Sequence, residues 1–362
     1  MKDIQLVISY KDGNVGGHFY TLLNYYKFLS FKGYKCTIVV IGNSSPEIFS
    51  TLNVDVMSFR LINKNRRGIN SSYAVLTFDN PACTIIRLIS INYKINLVNI
   101  LCGGPNPNNY YLTCNKQICL SFENYEYLKR KRKFDCIKLI PNRVYKNKDV
   151  GSHRPDIFEN NSQFKILTIS RIGNRYFKKL EQSVNLYDLL VEKGFSVELV
   201  IIGYIENDEV YQLLLDKASR KAIKIYTEDK YTNKASDFIG QADSVIGTGR
   251  GFMEAALQQK IMFCPVDNLK YPSFVNYDNV AELSSKNFSG RSVLDDKIEY
   301  DNLCRLDLDN SILNYYEENF NIEYAFNDIK EIIEYKSNVN KNYFLQVISL
   351  IYLFFNNVKA ML

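Results

Sequence analysis

The chain carries eight cysteines, yet no two of them form a Cys-x-x-Cys pair, and it holds only two histidines, His18 and His153. Zinc ribbons, zinc fingers and thioredoxin-like redox motifs are built on such pairs, and this pattern supplies none. The scattered thiols (Cys36, Cys83, Cys102, Cys114, Cys119, Cys136, Cys264 and Cys304) read as reduced, buried groups of a cytosolic protein. No Gly-x-x-x-x-Gly-Lys-Ser/Thr loop and no Gly-x-Ser-x-Gly elbow occurs, which removes the usual NTPase and hydrolase readings. Charge of neither sign dominates. Lys+Arg number 45 against 39 Asp+Glu, a net +6 that is too mild for a nucleic-acid binder. It suits attraction to phosphorylated ligands or to an anionic membrane surface.

A long apolar span is also missing. The strongest run, Tyr343–Phe355, is interrupted by Gln346 and Ser349. As a helix it would reach about 20 Å, short of the roughly 30 Å hydrocarbon core. The expectation is a helix packed back onto the first domain. The opening Met1-Lys2-Asp3-Ile4-Gln5-Leu6-Val7-Ile8-Ser9 lacks the apolar core of a signal peptide and reads as a first β-strand, so the expected compartment is the cytoplasm.

What is present is an α/β rhythm, sounded twice. A length of 362 residues suits two domains, and 46% hydrophobic residues can fill both cores. Strands are expected at 4–9, 36–41, 73–78, 97–102, 118–121 and 137–140, with a helix over 18–32 stopped by Gly33. Residues 145–163 are polar and aperiodic and read as a linker. Strands then recur at 165–170, 196–202, 223–227 and 244–246. Helices are expected at 178–192, 209–218, 232–240 and 252–260. The expected fold class is α/β: two Rossmann-like, doubly wound domains facing a cleft, 1–150 and 160–330, with 331–362 returning as a helical segment onto the first.

The richest local signal is Gly247-Thr248-Gly249-Arg250-Gly251-Phe252-Met253-Glu254. It follows a strand and opens a helix. Glycines admit backbone N–H groups close to a ligand, and a helix N-terminus carries about half a positive charge. Arg250 adds a forked donor for phosphate oxygens, and Glu254 sits where a carboxylate reaches a ribose hydroxyl pair. The same residues also read as an ordinary tight turn in which Glu254 complements the helix dipole. The sequence leaves both readings open.

Three other patterns are weaker. The early loop Gly13-Asn14-Val15-Gly16-Gly17 is not Gly-x-Gly-x-x-Gly, and the second strand ends at Gly42-Asn43 without the acid that a dinucleotide ribose needs. His18 after that loop reads either as a helix-end or surface position or as a substrate contact. Asp307-Leu308-Asp309 has a metal-nucleotide spacing, but Asn310-Ser311 follows as a helix start, so capping explains Asp309. Lys129-Arg130-Lys131-Arg132-Lys133 reads as a solvated helix end or as a contact for anionic lipid, where each basic residue is worth about 1 kcal/mol.

Taken together, these segments resemble the GT-B glycosyltransferases of the large retaining family 4 type. Gly16-Gly17, the helix behind it and Gly33-Tyr34-Lys35-Cys36-Thr37-Ile38-Val39-Val40 are similar to that family's Gly-Gly loop, helix and Gly-His-x-Val-Thr-Val-Val stretch. Ser121 and Ile140-Pro141-Asn142-Arg143-Val144 resemble the end of its first domain. Arg171 falls at its Gly-Arg, Lys179 or Lys178 at its diphosphate lysine, and Glu254-Ala255 at the second glutamate of its Glu-x7-Glu motif. The first of those glutamates falls at Ile246, a departure that leaves the stereochemical outcome open.

The resemblance implies a metal-independent hexosyltransferase, retaining by type, that needs no cofactor. Its donor would be a UDP- or GDP-linked sugar, and its acceptor a capsular, lipopolysaccharide or lipid-linked glycan. Arg171 and Lys179, with Lys178 as the alternative, would face the diphosphate together with Gly247, Thr248, Gly249, Arg250 and Gly251. Glu254 would hold the ribose, and Gly16, Gly17 and His18 the acceptor side. It would work in the cytoplasm, peripheral to the membrane. The alternative is a non-catalytic GT-B subunit that stabilises a partner transferase; Ile246 favours it, and the Arg171, Lys179 and Glu254 set opposes it.

Overall fold

The computed structural model describes residues 2–11, 15–57, 69, 71–90, 95–104, 106, 114–131, 134–146, 155–159, 164–294 and 308–336. By its contacts the chain divides into two units, Met1–Tyr145 with Ile322–Leu362, and Lys146–Asn321.

The first unit holds a seven-stranded sheet ordered β3-β2-β1-β4-β5-β6-β7. Its strands are β1 Asp3–Ser9, β2 Lys35–Ile41, β3 Val54–Met57, β4 Ala74–Thr77, β5 Leu97–Leu101, β6 Lys116–Cys119 and β7 Cys136–Leu139, all paired in parallel. Such a sheet is covered on both faces, which is why its central strands are largely apolar. Ile4, Leu6 and Ile8 pack with Phe19, Leu22 and Phe28 of helix α1 (Gly17–Phe31). Val7, Val39 and Val75 face the opposite way, against Ile85 and Ile86 of α2 (Asn80–Ile89). No helix is expected from the pattern at α2. It forms because Asp79 caps it, accepting from the Ala82 N–H at 2.7 Å, and because Pro81 suits a first turn. Helix α3 spans Phe122–Lys131.

The second unit repeats the plan with β8 Phe164–Ile169, β9 Val197–Ile202, β10 Ile223–Tyr226, β11 Ser244–Ile246, β12 Ile261–Cys264 and β13 Ser273–Phe274. The order is β10-β9-β8-β11-β12-β13, and only the last pair is antiparallel. Its helices are α4 Phe177–Glu192, α5 Asp208–Ala218, α6 Asp229–Thr232, α7 Gly249–Ala256, α8 Val280–Ser285 and α9 Asn310–Phe320. The expected helix over 232–240 is instead α6 followed by a 3₁₀ turn, Ala235–Gln241, because Lys234 adopts a left-handed φ of 58° between them. The expected linker is partly anchored. Ile157 and Phe158 are buried, and the Ile157 N–H donates to Gln241 Oε1 at 2.9 Å.

After α9 the chain rejoins the first unit at Ile322, nine residues before the expected return at 331. Ile322, Ala325, Ile329, Ile332 and Ile333 enter the same core as α1, the last three from α10 (Phe326–Glu334). The apolar run Tyr343–Phe355 lies outside the described residues.

In both sheets the strand order reverses once, between β1 and β4 and between β8 and β11. In open α/β sheets ligands bind beyond the carboxyl ends of the strands at such a reversal. The fold therefore marks one position in each unit.

Candidate functional site

In the second unit that position is occupied by the residues after Ile169 and after Ile246, because Thr168 and Ile246 are paired in register. Lys179 comes from the first turn of α4 and is 7% exposed. Its Nζ donates to Ile169 O at 2.8 Å, and among the described residues no carboxylate pairs with it. An ammonium has three donors, so most of its capacity is unused. Burial lowers its pKa to about 8. Ser170, whose hydroxyl neighbours it, is 8% exposed, and its Oγ has no hydrogen-bond partner among the described residues. Lys178, the other candidate, is exposed and lies 4.0 Å from Glu181, so the structure separates the two lysines.

The glycine turn stands beside them. A Cβ on Gly247 would sit 2.9 Å from the Phe252 Cα, and Gly249 has a φ of +52°, so both positions demand glycine. Thr248 is extended and is the N-cap, yet its hydroxyl makes no cap hydrogen bond. Helix α7 thus starts three residues before the expected Phe252. This corrects the placement of Glu254, which is the sixth helical residue and too far along to complement the dipole. Its partner is Arg250, with Nη1 2.7 Å from Oε1 and the side chains 20% and 17% exposed. Arg250 and Glu254 thus present one neutralised pair. Behind them Phe252 stacks on Phe288 at 3.8 Å, which fixes the helix start.

Arg171 is tethered by residues the sequence reading did not single out. Its Nη1 donates to Glu206 Oε1 at 2.9 Å, the Tyr204 hydroxyl donates to the same oxygen at 3.2 Å, and the guanidinium lies 5.4 Å from the Tyr204 ring. The available signal was position: Tyr204 and Glu206 follow β9, the strand next to β8. Ile246 is fully buried in the unit's core, so nothing at that position replaces the missing glutamate.

In the first unit, Gly16, Gly17 and His18 follow β1 at the reversal. Gly16 is the N-cap of α1, which rules out that role for His18. The imidazole packs 4.5 Å from the Phe19 ring and stands over Gly16. Lys129, Arg130 and Lys131 close α3 as an exposed basic end, with Arg130 3.4 Å from Glu126 and Lys129 over the Tyr125 ring. Arg132, Lys133, His153 and Asp307 lie outside the described residues. Asp309 caps α9 by accepting from the Ser311 N–H at 3.1 Å. Among the described residues no three His, Cys, Asp or Glu gather as a metal site, and no helix is long and apolar enough to cross a membrane.

The chain matches no protein-family model and no curated protein. Solved structures do match it along most of its length. Alr3699/HepE of Anabaena, in complex with UDP, is 13% identical with a TM-score of 0.60, over 91% of this chain and 99% of that one. An alpha-glucosyltransferase in complex with UDP-glucose and DNA containing an abasic site is 10% identical at 0.58, over 92% and 99%. A TarM variant of S. aureus, in complex with fondaparinux, alpha-GlcNAc-glycerol and UDP, is 11% identical at 0.57, over 92% and 100%. Identities this low speak for the fold alone. The fold of this chain is that of the GT-B glycosyltransferases.

Proposed function

We propose that the chain is a glycosyltransferase that moves a sugar from a UDP-linked donor to a glycan or lipid-linked acceptor of a bacterial surface polysaccharide. The observation that carries this is Lys179. A buried ammonium without a carboxylate is costly to keep, and an anion at the β8/β11 reversal answers it. A diphosphate there meets Lys179, Arg171 and the uncapped turn Gly247, Thr248, Gly249, Arg250 and Gly251. As the bond from the anomeric carbon to the β-phosphate oxygen breaks, its electron pair goes onto the diphosphate, and these groups stabilise the growing charge. The acceptor hydroxyl oxygen bonds the anomeric carbon and gives its proton to the departing phosphate oxygen, with retention of configuration. Charge neutralisation by protein cations is the metal-independent part of the proposal.

Glu254, steered by Arg250, would take the ribose hydroxyls. Gly16, Gly17 and His18, at the other unit's reversal, would shape the acceptor side. The exposed end Lys129, Arg130 and Lys131 supports peripheral contact with an anionic leaflet at the cytoplasmic face. The buried Ile246 supports the alternative, a non-catalytic GT-B subunit that binds or stabilises a partner glycosyltransferase.

Thermal-shift titration of the purified chain with UDP, GDP, CDP and their sugars tests the reading. UDP-sugars are expected to stabilise it most, by about 2.7 kcal/mol at a hundred times the dissociation constant. No shift with any nucleoside diphosphate overturns the proposal. Binding without transfer, even beside the pathway's other proteins, selects the non-catalytic subunit. For Glu254→Gln, transfer is expected to fall roughly tenfold or more, since a lost bidentate contact strands buried hydroxyls at about 1–3 kcal/mol. The variant should also lose the wild type's preference for ribose over 2′-deoxyribose donors. Equal preference in both proteins would leave Glu254 with no role beyond its pairing to Arg250.

A further inference from the structure

One polar group at the glycine turn is left over by the reading above. Asn287 lies in the turn after α8, 38 residues beyond Gly249. Asn287 and Phe288 both adopt left-handed backbone, with φ of 57° and 52°. Asparagine tolerates that region; phenylalanine does not, and its strain persists only because the surroundings fix it. Here the fixing contacts are the stack of Phe288 on Phe252 at 3.8 Å and the Cys264 Sγ bond to Phe288 O at 3.5 Å. The turn is thereby locked onto the first turn of α7. Asn287 Nδ2 lies 3.6 Å from where a Cβ on Gly249 would stand. Its Oδ1 is buried and has no hydrogen-bond partner among the described residues.

Left-handed preference accounts for an asparagine backbone at this place, but not for a buried acceptor without a donor. The end of β8 holds a second group without a partner among the described residues, Oγ of the nine-tenths buried Ser170. Ser170 follows Ile169, whose carbonyl accepts from the Lys179 ammonium, and Asn287 stands against Gly249 in the turn after β11, the strand paired with β8. Together they describe a site that a ligand with both phosphate oxygens and hydroxyls completes.

We infer that Asn287 reads the transferred sugar, its Oδ1 accepting a hydrogen bond from a sugar hydroxyl while Lys179 and the glycine turn take the diphosphate. The inference rests on the proposed donor site. Its chemistry decides which part of the donor Asn287 meets. Phosphate oxygens at neutral pH accept hydrogen bonds and cannot satisfy another acceptor, whereas a hydroxyl can. Asn287 thus supplies, from a different segment, a polar contact that Ile246 cannot.

The test compares UDP with UDP-glucose, UDP-galactose and UDP-N-acetylglucosamine by calorimetric titration of the full-length chain, its Asn287→Gly variant and its Asn287→Asp variant. Glycine keeps the left-handed backbone and removes the carboxamide. Aspartate keeps the shape and an acceptor. The wild type is expected to bind one UDP-sugar at least tenfold more tightly than UDP. In Asn287→Gly that ratio should fall to near one while UDP affinity stays within about threefold. In Asn287→Asp the ratio should persist although both affinities weaken through repulsion of the diphosphate. A ratio unchanged in the glycine variant, lost in the aspartate variant, or absent from the wild type overturns the assignment of Asn287 and leaves the transferase reading standing. Failure of the wild type to bind UDP or any UDP-sugar overturns that reading, and this one with it.

Discussion

Lys179→Met is expected to abolish diphosphate binding while leaving the melting temperature unchanged or higher. The buried ammonium has its pKa lowered from 10.5 to about 8 by desolvation, which opposes folding by roughly 3 kcal/mol. Methionine occupies the same buried position without charge. It loses the bond to Ile169 O, at about 1–3 kcal/mol for a stranded carbonyl, so the two effects nearly cancel. Ligand binding has no such compensation. Breaking a buried charge pair costs about 3–5 kcal/mol, a loss of several-hundredfold or more in affinity.

The pH dependence follows from the same shift. Between about 8 and 10.5 the unfolded chain binds the proton that folded Lys179 has lost, so this residue makes stability rise with pH across that window. Affinity for UDP moves the other way, falling as pH rises past about 8. Lys179→Met should flatten both profiles, as read by thermal melts and UDP titration from pH 6.5 to 10. A variant that melts far below wild type yet binds UDP equally well would make Lys179 a structural residue.

Most β-strands were legible because parallel strands buried on both faces are largely apolar runs, and Val197–Ile202 is buried at every position; β12 and β13, only four and two residues long, were not among those expected. Strand β3 was not, since Val54–Met57 is a short edge strand whose Asp55 is exposed. Helix α2 was not among the expected elements, and its start is fixed by Asp79 capping Ala82 ahead of Pro81. The glycine turn was legible because strand, turn and helix start are contiguous in sequence. Its exact start was not, because glycines at 249 and 251 disguise helical residues.

Within the site, what the sequence withheld is what the fold brings from elsewhere. Glu206 reaches Arg171 across 35 positions, and Asn287 reaches Gly249 through the packing of Phe288. No local spacing encodes either contact. Lys179 entered through resemblance alone, and only burial distinguishes it from exposed Lys178. The pairing of Arg250 with Glu254 was readable as an i,i+4 spacing, but the expected helix start placed Arg250 outside the helix.

The same exchange made in the first unit, Lys116→Met, should have the opposite outcome on stability. Lys116 is 2% exposed in β6, and burial lowers its pKa too. Here, however, the donors are used. Nζ reaches Ile332 O at 2.9 Å, Tyr335 O at 3.1 Å and Ile333 O at 3.3 Å, as well as Asn96 Oδ1. The last carbonyls of a helix have no partners within it and carry its negative dipole end, so one ammonium answers both needs at the close of α10. Asn96 completes the clasp by donating to Ile333 O at 2.7 Å. Methionine would strand these carbonyls in a dry setting, and the expected loss is about 3–5 kcal/mol, or roughly 10 °C for a domain of this size. The other lysines holding this helix are a control. Lys138 beside Asp328 and Glu331, and Lys2 beside Glu334, make exposed pairs that solvent screens, so each contributes little. Thermal melts of Lys116→Met, Lys138→Ala and Lys2→Ala should rank in that order of damage. If Lys116→Met melts with the two surface variants, the clasp does not hold the returning helix, and α10 is retained by its buried isoleucines alone.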